Sequence, residues 1–296
     1  MKLDKKTILK KAKYALRFLP DRAFIQLYYF ARFRRFCDFD DPKTFNEKLQ
    51  WLKLNDRNPL YITLVDKCEV KAWVAERIGS EHVVPTLGVW DSFDEIDFEA
   101  LPERFVLKCT HDSEGVVVVS DRAQFGLEAA KAKIEAALKC NFYYIGREWP
   151  YLNVKPRIIA EEYMEDLRHG ELRDYKFFCF DGEPKVMFVA SGRGAGQTKF
   201  DYFDTHFNRF DIKQHYPNSE GEIERPETFG RMMDAARTLS RGIPHVRIDF
   251  YEVDGKMYFG ECTFYHFSGF MPFEPDEWDE VFGSWLFLPA DKSGEK

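Results

Sequence analysis

A chain of 296 residues with 45% hydrophobic and 31% charged side chains has room for one large domain, or two to three associated subdomains, with a sizeable cleft. No apolar run approaches the roughly 20 residues of a membrane-spanning helix, and the basic start is not followed by the apolar stretch of a secretory signal, so a cytoplasmic location is expected. The net charge of −7 is unevenly spread: six Lys and five Arg against Asp4 and Asp21 give residues 1 to 35 a charge of +9, which leaves −16 on the remainder, an acidic body that argues against nucleic-acid binding.

In the basic arm, Ile8, Leu9, Ala12, Ala15, Leu16 and Leu19 recur at helical spacing among Lys5, Lys6, Lys10, Lys11, Lys13 and Arg17. That pattern suits first a solvated helix packed on the body, and second an interfacial helix giving peripheral contact with anionic lipid. Residues 1 to about 60 read as helical, with Pro42-Lys43-Thr44-Phe45 opening a helix over Asn46 to Leu54. A second helix is predicted from Thr63 to Ile78, ended by Gly79. Strand signals follow near Val83 to Val89, at Phe105 to Cys109 and at Val116 to Val119, the last two flanking the polar loop Thr110 to Gly115.

A helix from Leu127 to Leu138 leads to a block of strands: Arg157 to Met164, Tyr175 to Phe180, Lys185 to Ala190 and Phe200 to Phe203. Asp181-Gly182 makes the middle pair a hairpin. A helix over Glu227 to Arg241 precedes the strands Val246 to Glu252 and Met257 to Thr263. Helices interspersed with antiparallel hairpins indicate α+β layers rather than a doubly wound parallel sheet. The six cysteines stand singly, with no C-x-x-C pair, and read as reduced and structural.

The strongest chemical signal lies in the last strand pair. Asp249, Glu261 and Thr263 are oxygen donors suited to a hard cation such as magnesium. A two-residue loop at Asp254-Gly255 pairs Asp249 with Gly260 and turns Glu261 away. A three-residue loop with a bulged Gly255 pairs Arg247 with Glu261 and puts Arg247, Asp249, Glu261 and Thr263 on one face, so the bulged loop is predicted. An ordinary surface hairpin is an equal reading of this piece taken alone.

Lys108, in the apolar strand from Phe105, needs an anion partner, either a structural carboxylate or a phosphate. The loop after it, with Ser113 and Gly115, offers a hydroxyl and backbone amides over which phosphate could lie. Lys67 and Lys71, a helical turn apart, could reach the same phosphate. Taken singly, each lysine reads as solvated or salt-bridged. Alternation sends Glu161 and Glu162 to opposite faces, and sets Asp174 and Lys176 on the same side of the next strand. Gly192 to Gly196 lacks the helix a dinucleotide fingerprint requires and reads as a loop, with Arg193 a candidate anion contact. The aromatic tail, Phe264 to Trp285, reads first as core and second as a sugar-stacking surface.

In this order the pieces resemble the ATP-grasp superfamily, specifically the TupA-like ATP-grasp family of polysaccharide-biosynthesis proteins, from Pro42-Lys-Thr-Phe-Asn-Glu-Lys-Leu-Gln-Trp51 through Leu152 to Glu161 and on to Gly269. The resemblance implies an ATP-grasp-like α+β fold: a helical region 1–60, a substrate-side lobe 61–105, a subdomain 106–165 with the phosphate-covering loop, and a subdomain 166–296 with the metal site.

It implies ATP and Mg2+ as cofactors. Lys67 and Lys108 correspond to the two phosphate-binding lysines, Glu161, Glu162, Tyr163 and Met164 to the hinge that meets adenine, and Asp174 to the ribose carboxylate, with Lys176 beside it. Arg247 and Asp249 match an Arg-x-Asp motif, and Glu261 the bridging glutamate. Thr263 stands where asparagine is usual, which leaves the number of magnesium ions open, and Glu114 stands where glycine is common, which implies a stiffer phosphate-covering loop or one that repels phosphate. Ser268 and Gly269 correspond to positions facing the second substrate. The implied activity is a carboxylate–amine ligase acting through an acyl phosphate, on a small-molecule or glycan carboxylate and an amine. A kinase of a sugar or lipid hydroxyl, and a glycosyltransferase or nucleotide-binding accessory protein, are the alternatives.

Overall fold

The computed structural model describes residues 5–193 and 196–289. Met1 to Asp4 of the basic arm, and Gly194 and Ala195 of the glycine-containing loop, lie outside the described residues.

The N-terminal region is helical: α1 (Lys5–Ala15), α2 (Asp21–Phe33) and α3 (Phe45–Asn55). Thr44 caps α3, its hydroxyl accepting from the Glu47 amide while the Glu47 carboxylate accepts from the Thr44 amide, so the sequence Thr-x-x-Glu sets where the helix starts. The helix expected over Thr63 to Ile78 is two helices, α4 (Leu60–Val65) and α5 (Glu69–Ile78). The Asp66 carboxylate breaks it by accepting from the amides of Cys68 at 2.8 Å and Glu69 at 3.3 Å. Lys67 therefore sits in the break rather than on one helix face with Lys71.

Two antiparallel sheets follow. The first has the order β1-β4-β2-β3, from β1 (Thr86–Trp90), β2 (Phe105–Cys109), β3 (Val116–Val119) and, after the helices α6 (Leu127–Leu138) and α7 (Tyr143–Gly146), β4 (Ile158–Glu162). Strand alternation gives it two unlike faces. Phe105, Leu107, Cys109, Ile158 and Ala160 pack with Ala130, Ile134 and Ala137 of α6. Val106, Lys108 and Glu161 point the other way, with Lys108 opposite Ile159 and Val106 opposite Glu161 in the register.

The second sheet has the order β10-β9-β5-β6-β7-β8, from β5 (Asp174–Phe180), β6 (Glu183–Ser191), β7 (Lys199–Asp204), β8 (Arg209–Phe210), β9 (His245–Val253) and β10 (Lys256–Thr263). Helix α8 (Phe229–Ser240) covers one face, where Phe177 meets both Phe229 and Phe250. On the other face, α3 and α9 (Glu277–Trp285) cover one end through Phe45, whose ring lies 6.1 Å from Phe178 and 5.6 Å from Phe282. The opposite end of that face carries charge. Phe264, Tyr265, Phe270, Phe273 and Phe282 of the aromatic tail are buried, as core packing requires. No helix among the described residues is long and apolar enough to cross a membrane.

The last hairpin departs from expectation in an instructive way. Val253 pairs with Lys256, so the loop has two residues, Asp254 and Gly255, at φ 50° and 70°. The extra residue is Gly260, where the register shifts and brings Glu261 opposite Asp249 and Thr263 opposite Arg247. Arg247, Asp249, Glu261 and Thr263 thus share a face, by a bulge in the strand rather than in the loop.

Helices α3 and α9 approach closely at Gly283, where an added Cβ would lie 2.3 Å from the Lys43 carbonyl oxygen and 2.9 Å from the Phe45 nitrogen. Gly283→Ala is expected to lower stability by about 1–3 kcal/mol through this overpacking, read as a shifted urea midpoint with unchanged slope; a midpoint equal to that of the parent would contradict this packing.

Candidate functional site

The charged faces of the two sheets line one cavity of about 320 Å3. From the first sheet and its neighbours come Lys67, Lys71, Lys108, Ser113 and Glu161, and from the second come Asp174, Lys176, Arg193, Tyr251 and Glu261; Val70, Val83, Val84 and Phe259 add an apolar wall. A parallel bridge between Val83 and Phe259 ties the two sides.

On the first side, the Glu161 carboxylate sits between two ammonium groups, 2.5 Å from Lys71 and 2.5 Å from Lys108. Burial works to raise its pKa, but Lys108 and Lys71 outweigh it and hold the carboxyl below its ordinary range. Lys71 also donates to the Val84 carbonyl at 2.7 Å and the Thr86 hydroxyl at 2.9 Å. Lys67 donates to the Asp112 carbonyl, and its own amide to the Thr110 carbonyl, which anchors the α4–α5 break to the loop after β2.

On the second side, Lys176 lies opposite Asp249 in the register of β5 and β9, and Asp174 opposite Tyr251. The Lys176 ammonium pairs with Asp249 and, at 3.0 Å, with Asp174, whose other oxygen meets Arg193 at 2.9 Å. Burial tends to raise the Glu261 carboxyl, yet Lys176, Lys67, Arg247 and Arg193 pull it down to about 2, so it stands ionised in the cleft with 41% of its side chain exposed.

Behind this wall Arg247 is buried and fully occupied. Its Nε and Nη2 donate to the two oxygens of Asp249 at 2.7 and 2.8 Å, Nη2 also to Thr263 Oγ1 at 3.0 Å, and Nη1 to His266 Nδ1 at 2.6 Å. His266 is held neutral, because burial first and Arg247 second push its pKa down. Its Nε2 therefore donates to Gln214 Oε1 at 2.8 Å.

A model of the TupA-like ATPgrasp family matches residues 47–287, most of the chain and all of both sheets. The chain belongs to the TupA-like ATP-grasp family. Among solved structures it is similar to a D-alanine--D-alanine ligase from Bacillus anthracis complexed with ATP (16% identity, 68% of this chain and 53% of that one, TM-score 0.38). It is also similar to a D-alanine–D-alanine ligase from Helicobacter pylori (13% identity, 82% and 69%, TM-score 0.43) and to the D-cycloserine synthetase DcsG (17% identity, 77% and 71%, TM-score 0.43). The chain spans about half the length of the first of these. No curated protein matches it.

In this ATP-grasp protein, the residues singled out from sequence fall into three groups. Lys67, Lys108, Ser113, Glu161, Asp174, Lys176, Arg193 and Glu261 line the cavity. Arg247, Asp249 and Thr263 stand behind Glu261 as its support, with both Asp249 oxygens already engaged. The rest lie off the cavity lining: Glu162, Tyr163 and Met164 follow Glu161 beyond it, Tyr163 with its ring under Arg104. Gly115 has a packing reason, since a Cβ there would come 2.8 Å from that of Ala137. Ser268 donates to Glu148, and the Ser268 and Gly269 carbonyls accept from Lys53 and Gln50.

Tyr251, His266 and Gln214 were not found from sequence. A tyrosine between Phe250 and Glu252 and a lone histidine in an aromatic run carry no spacing signal, and only the third-dimension register brings them to Asp174 and Arg247. Among the described residues no group of three or more His, Cys, Asp or Glu side chains could cage a metal. Glu261 lines the cavity as a partly exposed carboxylate, an oxygen donor of the kind that suits a hard cation keeping water or phosphate oxygens.

Two outcomes test this electrostatic arrangement. Lys176→Met leaves the buried Asp174 and Asp249 short of a counter-charge and is expected to cost about 3–5 kcal/mol in chemical denaturation; near-neutral behaviour would mean that Arg247 and Arg193 suffice. Because the folded pKa of Glu161 is depressed from its ordinary 4.5, its contribution is present above that value and lost as pH falls through the lowered one. The stability gap between the parent and Glu161→Gln should therefore be flat above about pH 5 and shrink below it, and a gap that widens on acidification would contradict the assignment.

Proposed function

We propose that this protein is an ATP-dependent carboxylate–amine ligase that uses Mg2+ and attaches an amino acid or amine to a uronic-acid carboxylate during cell-surface polysaccharide synthesis. In this reading it works in the cytoplasm, peripheral to the inner face of the membrane. What supports the reading is the convergence of Lys108 from one sheet with Lys67 and Lys71 from the helical segment beside it, and of Lys176 and Glu261 from the other sheet, on a single cavity.

Phosphoryl transfer asks for charge neutralisation and alignment more than for covalent help. Lys67, Lys71 and Lys108 would bind the triphosphate, with Glu161 their counter-charge until it arrives. Val70, Val83, Val84 and Phe259 would receive the adenine, and Asp174 the ribose. Glu261, supported by Asp249 and Thr263, would hold magnesium, which supplies further neutralisation of phosphate charge. Arg193, at the cavity rim, is the candidate for the substrate carboxylate. Ser268 and Gly269 could face the amine only after giving up their contacts with Glu148, Lys53 and Gln50. The carboxylate takes the terminal phosphoryl group, ADP leaves, and the amine nitrogen then bonds to the acyl carbon and loses a proton as the acyl C–O bond breaks and inorganic phosphate departs. A closed cleft between the sheets protects that acyl phosphate from water.

Purified protein should release ADP in the presence of a uronic acid or uronic-acid nucleotide and an amino acid, and hydroxylamine should trap the acyl phosphate as a hydroxamate. Lys108→Ala and Glu261→Gln are each expected to slow ADP release by roughly 100-fold or more, the range for losing an electrostatic contact at a transferring phosphoryl group. ADP release that never yields hydroxamate, with phosphate retained on a hydroxyl, would replace this reading with a kinase.

A further inference from the structure

Half of the large apolar side chains exposed on the described surface lie between residues 8 and 36: Ile8, Leu9, Phe18, Leu27, Phe30 and Phe36. They are not scattered. Helices α1 and α2 enclose an apolar crevice of about 100 Å3 whose lining includes Leu9 and Leu27. Leu27 and Phe30 are three residues apart on α2 and so share a helix face. The Phe30 ring stacks on Phe36 at a centroid distance of 5.0 Å. The outcome is a continuous strip, Leu9–Leu27–Phe30–Phe36, in which Leu27 is 53% and Phe36 67% exposed. Phe18, 76% exposed, stands in the turn between the helices.

The segment of residues 1 to 35, which holds nearly all of the strip, carries +9 on a chain whose remainder is −16, and Lys11, Arg17 and Arg34 are exposed within it. Nor is it a loose tail. The buried Arg147 donates to the carbonyls of Leu16 at 3.0 Å and Leu19 at 3.1 Å, Tyr143 donates to Asp21, and Lys10 pairs with Glu114 at 2.5 Å. The strip is therefore presented at a set angle to the catalytic body. It also lies among residues preceding the 47–287 family match.

We infer that this α1–α2 face docks on an anionic lipid bilayer, with Leu9, Leu27, Phe30 and Phe36 entering the headgroup–acyl boundary and the lysines and arginines at the level of the lipid phosphates. Exposed aliphatic and aromatic groups beside clustered cations are what an interfacial element combines. A soluble polyanion would use the cations and leave the strip in water. The inference extends the peripheral placement proposed above by naming the face and the lipid chemistry, and it is independent of the ligase chemistry.

The test is co-sedimentation of the full chain with vesicles of phosphatidylcholine alone or with about 30 mol% phosphatidylglycerol, the charge density of an anionic leaflet. Binding is expected only to the anionic vesicles and should weaken as salt rises. The double variant Leu27→Ser with Phe30→Ser should bind at least about tenfold more weakly, because apolar burial drives insertion, while its unfolding midpoint and ADP release in solution match the parent. Phe30→Trp offers a second probe, since its emission should shift to the blue with anionic vesicles. No binding to the anionic vesicles would overturn the inference. So would binding that survives the double serine variant, heparin competition that leaves the strip irrelevant, or a dimer lost in that variant without any vesicle binding. Vesicle binding with no ligase activity would instead overturn only the reaction.

Discussion

Charge buried on one face of the six-stranded sheet is the constraint on which the site depends. Arg247, Asp249 and Lys176 could not be tolerated singly, since an unpaired ion in an interior of this kind costs several kcal/mol. They are tolerated as a connected row. Arg247 grips both oxygens of Asp249, Lys176 bridges Asp249 to Asp174, and Asp174 reaches Arg193 at the cleft. Sign alternates from the interior outward, so a polyanion entering the cavity would extend an existing pattern. Across the cavity Glu161 does the same for Lys71 and Lys108, holding two cations together that would otherwise repel each other.

Much of this was legible from the chain because strand alternation is a short-range rule. It separates Glu161 from Glu162 and unites Asp174 with Lys176, and Asp181-Gly182 announces its hairpin as surely. The α+β class follows from the order of the elements. Where reading failed, the deciding interaction was either a side chain competing with the backbone or a contact distant in sequence. Asp66 ends a helix that the apolar period alone would continue. Gly260 takes the extra residue that the turn was expected to hold, since nothing local distinguishes a bulge at a loop from one five residues on. His266 and Gln214 became visible only when β9 and the segment after β10 were side by side. With 29 phenylalanines in the chain, aromatic composition could not separate core from surface.

The aromatic core also explains how the helical start is joined to the sheets. Phe45, placed by the Thr44 cap, meets Phe178, Phe180, His245 and Phe282, so one capped helix end anchors α3 under the six-stranded sheet. Farther out, α1 touches the loop that follows Lys108 through Lys10 and Glu114. The arm and the loop thus share one ion pair, at side chains that are about one third exposed.

The bulge at Gly260 has a consequence for how this hairpin can vary over generations. A strand counts in twos, and one surplus residue converts odd to even between the turn and the acidic position beyond it. Losing one residue there would flatten the strand and keep Glu261 opposite Asp249, whereas gaining one would turn it out of the cleft unless a second bulge formed. The segment is thus one residue longer than its pairing requires, and the aim of Glu261 into the cleft depends on that surplus not growing.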